Sequence, residues 1–199
     1  MRVAEGADRR RVAARAGHSG DVAGARRLLA DPVGAVRATA LAALARLGAV
    51  MPDEVRLALA DDDPAVRQRA CEVSVSVAGL DTVAQLVDDD PRVVEVAAWA
   101  LGERASVSAA AVDGLIGVAA DHPDALCREA AVAALGAIGD GRGLPTILAA
   151  TSDKATVRRR AVISLAPFSG PDVDAALQAA LSDRDWQVRQ AAEDLLGKR

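Results

Sequence analysis

Asp31-Pro32-Val33-Gly34-Ala35-Val36-Arg37-Ala38-Thr39-Ala40-Leu41-Ala42-Ala43-Leu44 is the stretch that decides the fold. Counted from Val36, the apolar positions Ala40, Ala43 and Leu44 fall at i+4, i+7 and i+8, one face of an α-helix. Alanine at i+4 lets a neighbouring helix approach closely. The Asp before the run can accept hydrogen bonds from the orphan N–H groups of the first turn, and Pro just inside the start fits that turn.

The pattern returns five times. Asp63-Pro64 leads to Val66-Arg67, Ala70 and Val73; Asp90-Pro91 leads to Val94-Glu95, Ala98 and Leu101-Gly102. Cys127-Arg128 with Ala131 and Leu135 is the fourth copy, Val157-Arg158 with Asp153 before it the fifth, and Val188-Arg189 with Asp183 before it the sixth. The anchors 36, 66, 94, 127, 157 and 188 are spaced by 30, 28, 33, 30 and 31 residues. Shorter apolar segments lie between them: Val22–Ala30, Val55–Ala60, Leu80–Val87, Ala110–Ala120, Leu144–Ala150 and Val173–Leu181. Each is expected to form the first helix of a pair. Gly48, Gly79, Gly102, Gly139 and Gly197 stand near helix ends, where left-handed backbone is needed.

Composition agrees. The 199 residues are 51% hydrophobic but only 2% aromatic, with one Phe and no Tyr, so the core must be built from small side chains on closely packed helices. No composition break divides the chain. We expect a single all-α domain over residues 1–199, with residues 1–19 as an N-terminal cap and 20–199 as six helix pairs. Such a stack buries a continuous core only through its neighbours.

The Asp-Pro turn, the Val-Arg-x-x-Ala-x-x-Ala-Leu helix and the period together resemble the HEAT-repeat family, especially the subgroup named after phycobilisome lyases. The resemblance covers residues 20 to 199 and implies a right-handed α-solenoid. Residues 8–17 look like a degenerate half-repeat. In this family the recurring Asp and Arg form a structural ladder between adjacent repeats. That role falls here to Asp31, Asp63, Asp90, Asp153 and Asp183 with Arg37, Arg67, Arg128, Arg158 and Arg189. Glu95 departs from the pattern and should interrupt the ladder, unless Arg92 supplies the charge from the turn.

Catalytic chemistry is hard to assemble. His18 and His122 sit in separate turns without a His-Glu pair, and Cys71 and Cys127 lie in different repeats without the close pairs of structural zinc sites. Gly139-Asp140-Gly141-Arg142-Gly143 lacks the Lys-Ser/Thr of a phosphate loop. The reading is non-enzymatic, with no cofactor and no metal. A formal net charge of −4 disfavours nucleic acid, whose binding depends on neutralising phosphates. No apolar run approaches the roughly 20 residues a membrane span needs, and no export signal is evident. The expected location is the cytoplasm and the expected state a monomer.

What remains is a partner surface. The resemblance implies that second helices line the inner face of the array. On a helical wheel, Trp99 falls at the flank of that face with Cys71 and Val132 at equivalent positions beside it, and Val96 one turn earlier. A central aromatic in an apolar surround is the form of a protein-binding hot spot. Glu129 and Arg159 belong to the outward set, and Lys154, Arg158, Arg159 and Arg160 make a basic patch that favours an acidic protein surface over nucleic acid. The expected function is a scaffold binding a protein or peptide. An accessory subunit of a lyase or other cofactor-attaching enzyme, and DNA-lesion binding, are the alternatives that the resemblance leaves open.

Overall fold

A computed structural model describes residues 2–197, and side chains from residue 6 onward. The ends of the expected 1–199 domain, Met1, Lys198 and Arg199, lie outside the described residues. The described chain is helical and carries no strand. It divides into two compact units, residues 1–85 and 86–199.

In the first unit α1 (Arg2–Ser19) packs on α3 (Gly34–Arg46), and α3 packs on α5 (Pro64–Ser74). Against this row lie α2 (Val22–Arg27), continued by a 3-10 turn at Leu28–Ala30, and α4 (Pro52–Leu59). In the second unit the row is α6 (Pro91–Gly102), α8 (Ala125–Ile138), α10 (Ala155–Ser164) and α12 (Trp186–Leu196). Its companions are α7 (Ala109–Asp121), α9 (Leu144–Ala150) and α11 (Pro171–Ala180). Each unit is thus a row of second helices backed by first helices.

The starts of the second helices follow from their sequence. Asp63, Asp90, Asp124 and Asp185 each accept a hydrogen bond from the N–H two residues on, capping α5, α6, α8 and α12. A cap of this kind contributes about 1 kcal/mol. Pro64 and Pro91 follow as first helical residues, where a missing N–H costs nothing. The core is aliphatic throughout: Val36, Leu41, Leu44 and Val55 in the first unit, Val93, Leu101, Leu115, Leu135, Ile147, Leu165 and Leu177 in the second, all sealed from solvent.

Two expectations change. Leu80–Val87 forms only a five-residue 3-10 segment, Val83–Val87. Gly79, with φ of +75°, ends the preceding turn, and the run before Asp88 is too short to nucleate an α-helix. Gly48, Gly79 and Gly139 adopt the expected left-handed backbone, but Gly102 and Gly197 do not. Gly102 serves close packing instead: a Cβ there would stand 2.9 Å from Ala134 Cα of α8.

Candidate functional site

The helix starts fix the register of each repeat. The first core residue stands three places after the N-cap: Val36, Val66, Val93, Cys127, Val157 and Val188. The third repeat is therefore anchored on Val93 and not on Val94, one residue earlier than its sequence suggests. From Val93, the buried Ala97, Ala100 and Leu101 recover the i+4, i+7, i+8 face. The position after the anchor is Arg in every other repeat and Val94 here.

That arginine makes two sets of contacts. Its Nη1 donates to a carbonyl of the turn before its own helix: Arg37 to Asp31, Arg67 to Asp61, Arg128 to His122, Arg158 to Asp153 and Arg189 to Asp183, at 2.7–2.9 Å. Its Nε and Nη2 can grip the carboxylate that opens the next repeat. Arg37 holds Asp61, Arg128 holds Asp153 and Arg158 holds Asp183 in this two-pronged way, at 2.6–2.8 Å. Arg9 of α1 holds Asp31 similarly, so the terminal half-repeat joins the ladder. The rung assigned to Asp63 is made by Asp61 instead; within Asp61-Asp62-Asp63 the first carboxylate takes Arg37 and the third caps α5. Asp90 caps α6 and takes the Arg92 guanidinium, which keeps Arg92 in its own turn. The guanidiniums hold the carboxyls of Asp31, Asp153 and Asp183 below the usual carboxylate range.

One rung in the second unit carries no charge. Val94, fully buried, stands at the arginine position, and His122 stands where the next repeat has its turn carboxylate. His122 Nδ1 accepts from the Asp124 N–H at 3.1 Å, the same turn bond that Asp31, Asp61, Asp88 and Asp183 make. The turn survives; the ion pair does not. Glu95, the residue expected to break the ladder, is displaced by the one-residue shift to the open face.

There it joins a groove of about 460 Å³ between α6 and α8. Trp99, 44% exposed, forms one wall and Leu126, 56% exposed, the other. Ala130, Ala133 and Ala134 supply a shallow floor, with Val96 beside it. Glu95, Glu103 and Glu129 line it, and Arg160 reaches in from α10 to Glu129 at 3.5 Å. A second groove of about 320 Å³ between α10 and α12 has Arg159, Ile163, Trp186 and Asp194 on its walls.

The structure sorts the candidate residues. Trp99, Val96, Glu129 and Arg160 come together in the first groove, and Arg159 lies in the second. Cys71 and Val132 are fully buried and offer a partner no surface. They occupy the fifth place after their anchors, which is buried also at Leu41, Ala98 and Val162; Trp99, counted from Val93, occupies the sixth. Glu95 stands out in the sequence only as a departure from the repeat, and Glu103 and Leu126 carry no such signal. Leu126 stands just before an anchor, a position no apolar periodicity marks. Among the described residues, no three His, Cys, Asp or Glu side chains are grouped to hold a metal ion. Burial pushes the Cys127 thiol up to about 11, and its Sγ donates to the Pro91 carbonyl, so it is a packing residue and a poor nucleophile.

A family model for HEAT repeats matches residues 52–136 and again 112–197, together well over half of the chain. The chain belongs to the HEAT-repeat family. The match does not single out the phycobilisome-lyase subgroup. Comparison with curated proteins finds no match. Among solved structures, an engineered protein is similar at a TM-score of 0.67 and 21% identity, covering 89% of this chain and 97% of that one. Human deoxyhypusine hydroxylase in complex with glycerol is similar at 0.50 and 18%, covering 95% and 78%. A designed armadillo repeat protein is similar at 0.50 and 18%, covering 96% and 90%. At these identities the likeness shows the α-solenoid fold alone. It includes an enzyme, so HEAT repeats by themselves do not decide between scaffold and catalyst.

Proposed function

We propose that this HEAT-repeat protein is a non-catalytic scaffold, and that a protein or peptide docks on the second-helix face of residues 86–199. The observation that carries the reading is Trp99, a large aromatic left nearly half exposed beside Leu126 over a floor of alanines. Burying a side chain of this size is what concentrates binding energy in protein interfaces. The polar residues around it form the rim that such sites carry. His18 lies in the last turn of α1 and His122 caps the end of α7, and neither has an adjacent Glu in sequence. That leaves no His-Glu pair to serve as a metal-ligand set.

The proposal keeps the chain as one functional domain, a monomer in the cytoplasm. Two buried cysteines in thiol form suit that compartment. No described helix is long and apolar enough to cross a membrane. Trp99→Ala tests the reading. The variant should keep the far-ultraviolet circular dichroism and urea midpoint of the parent, because the indole is not core. It should lose about 2 kcal/mol or more of partner affinity, roughly 30-fold. Comparative affinity capture on parent and variant columns gives the answer: a partner retained equally by both would sink the assignment.

A further inference from the structure

We infer that the groove between α6 and α8 takes a basic linear segment whose arginine or lysine lies over Trp99; this rests on the scaffold reading above. Three features point there. The first is spacing. Glu95, Trp99 and Glu103 follow one another at four-residue intervals, so they form a row along the open face of α6. Each carboxylate stands about 6 Å along the axis from the indole. A long cationic side chain can therefore lay its methylenes on the ring and bring its charge to a carboxylate. That combination unites apolar burial with cation–π attraction.

The second feature is the balance of charge. Three carboxylates line the groove against one guanidinium, and that guanidinium, Arg160, is already engaged by Glu129. Glu95, half-buried, and Glu103, exposed, flank Trp99 on its two sides along the groove. An acidic partner would meet both at close range, whereas a basic one neutralises them. The surrounding unit agrees: residues 86–199 contain 17 acidic and 12 basic side chains. The third feature is the direction of α6. Its C-terminal end, Gly102 and the capping Glu103, opens into the groove. The carbonyl end of a helix carries partial negative charge and favours cations. Of the basic patch in the sequence only Arg160 enters this groove, and it is paired; Arg158 is buried in the ladder and Arg159 lines the second groove.

The chain has only two tryptophans, Trp99 and Trp186, so Trp186→Phe makes Trp99 the sole indole reporter. Full-length Trp186→Phe protein is titrated with three twelve-residue peptides, free of aromatic residues, in which Leu and Ala alternate with Arg, with Glu, or with Ser. The Arg peptide is expected to shift Trp99 emission, with at least tenfold tighter binding than the Glu or Ser peptide. Glu95→Gln with Glu103→Gln should remove most of that preference while leaving circular dichroism unchanged, and raising salt from 50 to 500 mM should do the same. Equal or tighter binding of the Ser or Glu peptide overturns the basic-segment inference and leaves the scaffold reading standing. Emission that responds to none of the three overturns both. A shift that appears with protein concentration alone identifies a second copy of the chain as the occupant and also overturns the inference.

Discussion

A side chain in this repeat is assigned its task by its distance from the helix cap. The arginine one place after the anchor ties its own turn to the next repeat, and the residue six places after it looks into a groove. Val94 and His122 show how tightly the two ends of a rung are linked: one position lacks the arginine and the other the carboxylate, so neither ionic partner stands there without the other. Breaking one partner of a buried pair costs about 3–5 kcal/mol, while replacing both with neutral groups can cost little. Val94→Arg alone should therefore destabilise, and His122→Asp alone should do little or destabilise mildly. The double variant Val94→Arg/His122→Asp should recover about 1–3 kcal/mol of coupling in a double-mutant cycle read by urea denaturation. Strict additivity would show that these two positions do not form a rung.

At the level of the helix, small residues set the spacing of the second-helix row. Gly136 of α8 faces Ser164 of α10, and an added Cβ would lie 2.5 Å from Ser164 Cβ and 2.7 Å from its Cα. Backbone must move to admit it. Gly136→Ala should lower stability by about 1–3 kcal/mol by overpacking, although alanine is the better helix former. An unchanged or raised urea midpoint would mean that α8 and α10 separate at no cost. The helices themselves were legible in the sequence, because a 3.6-residue period and Asp-Pro caps are both local signals. The register of the third repeat is ambiguous in sequence, because Val93-Val94 and Ala97-Ala98 are doublets and both registers present an apolar face. The Asp90 cap, three residues before Val93, sets it. Of the proposed site, Trp99, Val96, Glu129 and Arg160 can be picked out from the sequence, while a helical wheel carries no information that Cys71 and Val132 are buried. Which of Asp61 and Asp63 meets Arg37 depends on contact between repeats, and periodicity carries no information on that.

For the molecule as a whole, the ladder predicts how stability varies with pH. The carboxyls of Asp31, Asp153 and Asp183 titrate lower in the folded chain than in the unfolded one, held down by Arg9, Arg128 and Arg158. A lowered folded value means that the stabilisation is fully present above the ordinary aspartate range, about 3.9, and is lost as pH falls through the folded values. The urea midpoint should be flat from pH 7 to about 5 and should drop steeply below about 4. An equal midpoint at pH 3 and pH 7 would contradict the ladder as a source of stability.

The anchors set by the caps are separated by 30, 27, 34, 30 and 31 residues, yet the cap-to-anchor distance never varies. Length is thus elastic between helices and rigid within them. A residue inserted after Glu103 would be absorbed before α7 starts, whereas one inserted inside α6 would turn every later side chain by about 100° and carry Trp99 off the groove. Insertions and deletions can therefore accumulate in the connections without changing what the second helices display. The display itself can be revised only one substitution at a time, so a lineage built on this plan can vary in length freely while altering its specificity slowly.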